Sequence, residues 1–373
     1  GSLTLESTDA IALTANVING DLSVTSNGAI TQSGALTVSG NSSFTSTGTD
    51  TNITLALANA FTGPVTLTTA GTSGDVSIDN NTTALGIQGT INGGLTVRNG
   101  AAITDSGTLT VSGTSSFTID TGSNHITLGS AALTGAIGVS TTGTSNFTLD
   151  NTTTAVNLGT VGVTGALSVT SGAAITDTGV VTVGGAATFV TDVNDIDITL
   201  DSSNAITGAL TFTTQTGGSN GADITLNNGS TAISLAGFTT EGNLTLETTN
   251  AIALTGHTVN GNLSVTSAGA ITQSAALTVS GTSSFTSTGT DTNITLNTDT
   301  NAFTGSVTLT TAGTSGDVSI DNGTTALGIQ GTINGALTVR NGQVITDSGT
   351  LTVSGASSFT IDTGSNHITL GTA

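Results

Sequence analysis

Short bursts of alternating apolar and polar residues, separated by stretches rich in Gly, Ser, Thr, Asn and Asp, run through the whole chain. Residues 269–296 show the pattern clearly, with Leu277-Thr278-Val279 and Ile294-Thr295-Leu296 as two of the bursts. A period of two places aliphatic side chains on one face of a strand and threonine on the other. Strands this short cannot bury their own apolar face, so each needs a copy stacked above and below it.

Equivalent apolar positions recur at a spacing typical of a solenoid. They are Ile11, Ile30, Ile53, Val76, Ile103, Ile126, Phe147, Ile175, Ile198, Ile224, Ile252, Ile271, Ile294, Val318, Ile345 and Ile368. The intervals between them average about 24 residues, which is the length of one solenoid coil. We therefore predict an all-β parallel solenoid of about 15 coils, each with three short strands joined at Gly, Asn, Ser or Asp corners.

A longer repeat lies above this short one. Residues 3–131 return as residues 244–373, with an offset of 241 as far as Leu296 and 242 beyond it, and residues 132–243 form a diverged middle. The extra residue falls within residues 297–300, which predicts a loop at a corner of the solenoid. Because a solenoid does not divide into domains by length, residues 1–373 are interpreted as one continuous array.

Phenylalanine marks a third, intermediate repeat. It recurs at nearly even spacing, with one longer gap between the third and fourth positions, at Phe44, Phe117, Phe189, Phe285 and Phe359. This spacing indicates cassettes of three coils, with one extra coil inserted in the longer gap. We expect these rings at a repeated corner of the coil, buried and stacked on neighbours in adjacent turns.

Charge and composition exclude several classes of function. The net charge is −21, with two Arg against 23 acidic residues. Phosphate binding requires clustered cations, so we expect neither nucleic-acid binding nor docking on anionic lipid. There is no Cys and no long unbroken apolar run, which argues against thiolate metal sites and against membrane insertion of this segment. The chain lacks a start Met and a signal peptide, so we interpret it as part of a longer protein.

The strand patterns L-T-V-S-G, A-I-T-x-S-G and N-I-T-L, with Gly at the corners, resemble those of secreted bacterial β-helical exoproteins. These are the filamentous-haemagglutinin-like proteins of two-partner secretion and the autotransporter passengers. The resemblance covers the whole chain as a style of repeat and carries no catalytic motif. It implies a right-handed parallel β-helix at the bacterial cell surface. The implied function is that of an adhesive or structural stalk, with an unknown host receptor or glycan as partner.

An enzyme is the less favoured alternative. Parallel β-helix polysaccharide lyases and hydrolases need paired acids, or calcium with a basic residue. Here Arg98 and Arg340 are copies of one another, and there is no Lys. His125 and His367 are also copies, which predicts exposed corner histidines, whereas His257 replaces Asn16 of the first copy. We predict no catalytic site and no cofactor.

Calcium is the one metal that the sequence leaves open. Asp192, Asp195, Asp197 and Asp201 form the densest acidic run, and alternate carboxylates share one side of a strand. Stacked carboxylate oxygens would suit Ca²⁺. A second possibility, the Gly-Asp turn at residues 74–80 and its copy at 316–322, lacks the tandem nine-residue motif of calcium-binding β-rolls. A solvated acidic corner is the simpler interpretation of both segments.

Threonine ladders give another alternative function. Outward threonines of stacked strands would line up along the array, as in ice-binding β-solenoids. Those proteins usually present T-x-T in each coil, whereas most strands here predict one central threonine. Ice binding, or another use of these ladders to hold a ligand, is therefore an alternative to a scaffold.

The two ends of the sequence repeat internal coils. Leu3-Thr4-Leu5 matches residues 244–246, and residues 367–370 match residues 125–128. Natural solenoids close their exposed strand edges with atypical polar coils. We therefore expect either a longer parent chain or end-to-end self-association into a filament.

Overall fold

The computed structural model describes residues 1–215, 217, 221–364 and 366–371. Within these residues the chain forms β-strands, turns and bends, and no helix. The chain divides into two compact units, residues 1–187 and 188–373. None of the described residues belongs to a helix that is long and apolar enough to cross a membrane.

The strands are short and follow the bursts of alternation in the sequence. Up to residue 187 they are β1 (Leu3–Ser7), β2 (Ile11–Leu13), β3 (Asn16–Ile18), β4 (Leu22–Ser26), β5 (Ile30–Gln32), β6 (Leu36–Val38), β7 (Ser42–Thr49), β8 (Ile53–Leu55), β9 (Ala60–Phe61), β10 (Val65–Ala70), β11 (Val76–Asp79), β12 (Leu85–Ile91), β13 (Leu95–Asn99), β14 (Ile103–Val111), β15 (Ser115–Ile119), β16 (Ile126–Leu128), β17 (Ala131–Leu133), β18 (Ala136–Ser140), β19 (Phe147–Asp150), β20 (Val156–Val163), β21 (Leu167–Ser171), β22 (Ile175–Asp177) and β23 (Val181–Val183).

The remaining strands begin at residue 187. They are β24 (Ala187–Asn194), β25 (Ile198–Leu200), β26 (Ala205–Ile206), β27 (Leu210–Gln215), β28 (Ile224–Asn227), β29 (Ile233–Ser234), β30 (Thr239–Thr240), β31 (Leu244–Thr248), β32 (Ile252–Leu254), β33 (Thr258–Val259), β34 (Leu263–Ser267), β35 (Ile271–Gln273), β36 (Thr278–Val279), β37 (Ser283–Thr290), β38 (Ile294–Leu296), β39 (Ala302–Phe303), β40 (Val307–Ala312), β41 (Val318–Asp321), β42 (Leu327–Ile333), β43 (Leu337–Asn341), β44 (Ile345–Val353), β45 (Ser357–Ile361) and β46 (Ile368–Thr369).

In the first unit the strands stack in parallel on three faces. One face begins with β1, β4, β7 and β10, the second with β2, β5, β8 and β11, and the third with β3, β6 and β9. Ile11 pairs with Ile30, for example, and Leu3 with Leu22. Each coil thus uses the coil before it and the coil after it to pair its backbone, which is how short strands with one apolar face become stable.

The second unit repeats this arrangement. Its faces are β31-β34-β37-β40, β29-β32-β35-β38-β41-β43-β45 and β30-β33-β36-β39. The registers copy those of the first unit, as Leu244 pairs with Leu263 and Ile252 with Ile271. The predicted fold class is confirmed as an all-β parallel β-helix whose path is compatible with right-handed winding.

The predicted count of about 15 coils is too low, since the stacked strands make about 18 turns. The assumed column of apolar anchors does not stay on one face. Val76 pairs with Leu95 and not with Ile103, which pairs with Leu85. The same change of face occurs at Phe147, which pairs with Leu167, at Ile224, with Leu244, and at Val318, with Leu337. Several coils are therefore shorter than the anchors predict, because the chain returns to a face before the next anchor is reached.

The core of each unit consists of Leu, Ile, Val and Phe side chains. Phe44, Phe117, Phe189 and Phe285 are fully buried, as predicted, whereas Phe359 in β45 is half-buried. Their predicted place at a corner is wrong. Phe44 lies within β7 and pairs with Val24 and Leu67, so its ring projects into the core from a strand and not from a corner.

The extra residue of the second copy lies where the sequence predicts it. Four residues connect β8 to β9, and five connect β38 to β39. The strands on both sides keep their partners, since Phe61 pairs with Val38 in the first copy and Phe303 with Val279 in the second. The insertion is therefore absorbed by the loop without changing the register of the coil.

Candidate functional site

Buried asparagines hold the corners of the coils, and the sequence alone did not reveal them. Asn80 follows β11 and is fully buried. Its Oδ1 accepts a hydrogen bond from the backbone N–H of Phe61 (2.7 Å), and its Nδ2 donates to the carbonyl of Phe61 (3.0 Å). Nδ2 also contacts the carbonyls of Thr83 and Ala84. The side-chain amide thus pairs with β9 as a backbone residue of a further strand would.

The same device recurs in other coils. Asn151 pairs with Leu133, Asn228 with Ile206, and Asn322 with Phe303, in each case through both Oδ1 and Nδ2. Asn99 and Asn341 are equally buried, but their Oδ1 atoms have no partner. The signal in the sequence is an Asn at the end of a strand, preceded by Asp, Asn or Arg.

A column of aromatic rings runs through four coils in residues 188–373, from within β24 and β27 to the segments just before β30 and β33. Phe189 stacks on Phe212 with ring centroids 5.7 Å apart, and Phe212 contacts the edge of Phe238 at 5.9 Å. Phe238 in turn lies 4.9 Å from the ring of His257. Elsewhere among the described residues the phenylalanine ring contacts are the pairs Phe44–Phe61 and Phe285–Phe303. The column of four rings is therefore a particular feature of the diverged segment and the coil that follows it.

His257 is buried in this column, with 2% of its surface exposed. Its Nε2 lies 3.3 Å from Thr255 Oγ1, and its Nδ1 has no hydrogen-bond partner. Burial lowers the pKa of His257 to about 4. Of the other two histidines, His367 is exposed, as predicted, and His125 is exposed at its corner. His125 Nδ1 accepts a hydrogen bond from the backbone N–H of Asn146 (3.1 Å).

The acidic run does not assemble into a metal cage. Asp195 Oδ1 accepts from the N–H of Gly221 (2.9 Å), and Asp197 Oδ1 accepts from the N–H of Asp223 (2.9 Å), so both carboxylates hold the following coil. Asp192 and Asp201 are exposed. Within the described part of the chain, no group of three or more His, Cys, Asp or Glu side chains lies close enough to hold a metal ion.

The Gly-Asp turns also serve the backbone. Asp75 Oδ1 accepts from the N–H of Gly94 (2.7 Å), and Asp317 Oδ1 accepts from the N–H of Ala336 (2.7 Å). Asp50, at a positive φ of 58°, accepts from the N–H groups of the next coil's turn, at Thr72 and Ser73. The N–H of Thr72, followed by that of Ser73, lowers the pKa of Asp50.

The two arginines each bridge carboxylates of neighbouring coils. Arg98 Nη1 lies 3.3 Å from Asp79, and its Nη2 lies 2.7 Å from Asp120. Arg340 contacts Asp362 at 2.8 Å, and this contact is the main reason that its pKa is raised. The guanidinium groups are exposed, so these pairs add little stability each. Each arginine thus contacts an aspartate in the coil before its own and another in the coil after it.

The outer face of the longer strands carries paired hydroxyl columns. In the first unit one column begins at Thr4 and the other at Thr25. The first column is Thr4, Ser23, Ser43 and Thr66, and the second is Thr25, Thr45 and Thr68. Longer strands such as β4 have two outward positions, which Ser23 and Thr25 occupy there, so a strand with one outward threonine can still present two hydroxyls. The second unit repeats both columns at β34, β37 and β40.

Comparison with protein families adds one finding. Five segments of the chain, residues 1–68, 73–140, 144–213, 241–310 and 315–373, match the family described as "Repeats of unknown function (DUF5649)". The chain belongs to the DUF5649 repeat family. Each of the five DUF5649 segments contains one of the five evenly spaced phenylalanines, and the longer gap between the third and fourth segments coincides with the longer gap between Phe189 and Phe285. One DUF5649 repeat thus corresponds to the spacing of the phenylalanines. This spacing is longer than the three coils predicted, since three coils lead from Phe44 to Leu109, and Phe117 lies on a different face.

Searches of curated proteins and of solved structures found no match to the chain.

Proposed function

We propose that the chain is an extracellular structural and adhesive β-solenoid, a stalk or filament-forming segment of a bacterial surface protein, without catalytic activity. The observation that carries this proposal is the use of polar side chains. The buried asparagines, the corner aspartates and both arginines bind neighbouring coils of the same chain. Such groups stabilise an array along its length, and the recurrence of the same contacts in both copies provides a repeated surface.

The negative charge is consistent with this role. A net charge of −21, spread over many coils, keeps a hydroxyl-covered array soluble and limits nonspecific association. Short strands joined by repeated corners also extend easily, since a further cassette stacks on the one before it. Association of identical chains by continued parallel pairing is part of the proposal, with a receptor or glycan as a further partner.

Surface location is tested on intact cells of the source organism. An antibody raised against the diverged segment, residues 132–243, should label unpermeabilised cells, and external protease should remove that label. A cytoplasmic protein labelled in parallel controls for lysis. A signal that appears only after permeabilisation would contradict the extracellular location.

A second candidate, ice binding, is favoured by the paired hydroxyl columns. Neighbouring coils place these hydroxyls ~4.8 Å apart along each column, and the two columns are separated by two residues of strand, ~7 Å. Such a regular array could order water. Because both units carry these columns, the double variant Thr45→Arg/Thr286→Arg should abolish thermal hysteresis. The control Thr54→Arg/Thr295→Arg, on β8 and β38 outside the columns, should not. Wild-type protein without thermal hysteresis or inhibition of ice recrystallisation excludes this candidate.

A further inference from the structure

His257 stands in a column where its neighbours are apolar. It precedes Thr258, which pairs with Thr239 of the coil before and Thr278 of the coil after. Its neighbours in the column are therefore Phe238 and Leu277. Leu277 is fully buried, and the Phe238 ring lies 4.9 Å from the imidazole. A titratable ring thus occupies a position that the next coil fills with leucine.

The hydrogen bonds fix which nitrogen carries the proton. Thr255 Oγ1 donates its only hydrogen to the carbonyl of Leu235 (2.9 Å). Its oxygen therefore accepts from His257, so Nε2 bears the hydrogen in the neutral ring. Nδ1 is then an unprotonated nitrogen, buried without a partner. Protonation of Nδ1 would place an N–H and a positive charge in the core with no acceptor, which is strongly unfavourable.

The carboxylates of the neighbouring coils do not compensate such a charge. In the coil before, Glu241 accepts a hydrogen bond from Asn260 at the surface, and Glu247 is exposed on β31. In the coil after, residues 271–290 contain no titratable side chain. Burial alone accounts for the lowered pKa of His257, without a contribution from any charged group.

We propose that His257 makes one segment of its coil, residues 252–260, sensitive to acid. This segment opens more often when the pH falls, while the rest of the array stays folded. An imidazole exposed by opening binds a proton with its ordinary pKa of about 6.5. The open coil therefore binds more protons than the closed coil, and acid shifts the equilibrium towards it. Local opening of single coils is possible because each coil contacts only its neighbours.

The first copy of the repeat supplies the internal control. Asn16 occupies the position equivalent to His257, and residues 11–20 contain no titratable side chain. Acid opening through a buried imidazole at this position is therefore restricted to the second copy. The variants His257→Asn, which restores the residue of the first copy, and His257→Leu, which matches Leu277, both remove the titratable group.

Hydrogen exchange of the intact chain, read by mass spectrometry at pH 7.5 and 5.0 and corrected for intrinsic rates, tests the proposal. Peptides covering residues 252–260 should show an increase of about 25-fold in their opening equilibrium at pH 5.0. Peptides covering residues 11–20 should show less than about 2-fold, the change expected when opening exposes no titrating group. In either variant the increase at residues 252–260 should disappear.

Two results would overturn the proposal. One is an unchanged opening equilibrium at residues 252–260 of the wild type, and the other is the same acid increase in both variants. Nuclear magnetic resonance titration of the His257 ring, assigned by its loss in the His257→Leu spectrum, provides a measurement on the wild-type protein alone. A ring that titrates at about 6.5 in the folded protein would also contradict the proposal.

Discussion

Two levels of one column in residues 188–373 fill the interior of the coil with different kinds of side chain. At one level of the column, the rings of Phe238 and His257 pack against one another at an angle of 58°. Two coils after His257, Asn301 occupies the column, and its amide binds the N–H of Leu277 and the carbonyls of Leu296 and Asp321. The ring contacts depend on packing and the amide contacts on hydrogen-bond geometry. The difference shows that coil stacking requires a filled corner, and that the choice of side chain decides how the corner responds to change.

Removing a ring from the column should have the largest effect. Phe212→Ala deletes a buried side chain between Phe189 and Phe238, and we expect a loss of about 3–5 kcal/mol in unfolding free energy. Phe303→Ala, in a coil with a single ring neighbour, serves as the matched comparison and should cost about 1 kcal/mol less. Urea unfolding followed by circular dichroism measures both. Equal losses would show that the column acts as independent side chains.

Lowering the pH should cause the next largest loss of unfolding free energy, through protonation of His257. The folded pKa of His257 is about 4 and the unfolded value about 6.5, so the unfolded state binds more protons between these values. Stability from the neutral ring is fully present above pH 6.5 and falls by about 3 kcal/mol as the pH is lowered to 4. The measurement is the difference in unfolding free energy between wild type and His257→Leu at each pH. A difference that does not change with pH contradicts this prediction.

The amide corners should differ among themselves. Asn322→Ala leaves the N–H and carbonyl of Phe303 and two further carbonyls without partners, and we expect a loss of about 2–3 kcal/mol. Asn341→Ala removes only two donated hydrogen bonds, since its Oδ1 has no partner, and should cost about half as much. Denaturant unfolding of the two variants side by side tests the ranking, and a greater loss for Asn341→Ala would reverse it.

The smallest effect is expected in the loop that distinguishes the two copies. Deleting Thr300 shortens the connection between β38 and β39 to the length found between β8 and β9. Loop-closure entropy changes little with one residue, so we expect a change below about 0.5 kcal/mol. Thermal unfolding of the deletion variant measures it. A larger loss would indicate that the loop itself supports Asn301.

The sequence is sufficient for the fold because the period-two bursts, such as Leu36-Thr37-Val38, place their apolar residues inward where a coil lies on each side. It was insufficient for the coil count, since Leu95 and Ile103 are both apolar and nothing local indicates which of them stacks on Val76. That choice depends on the path of the chain around the corner.

The polar interior was harder to predict for the same reason. Asn80 looks like any other turn asparagine in the sequence, and only the position of β9 in the coil before reveals its partners. The sequence distinguishes His257 because it replaces Asn16, but its burial depends on Phe238, which belongs to the preceding, diverged coil. The partners of a buried polar side chain lie in a neighbouring coil. The sequence of one coil therefore does not show which groups that side chain contacts.

The preserved register of the two copies has a consequence for how the gene can change. Leu3 pairs with Leu22 and Leu244 with Leu263, so equivalent positions of the two copies pair with the neighbouring coil in the same register. Unequal recombination between the two copies would therefore join strands that already fit one another. Alleles that gain or lose a whole long repeat should encode proteins that fold, and the length of the array can drift in such steps without a new sequence having to be selected.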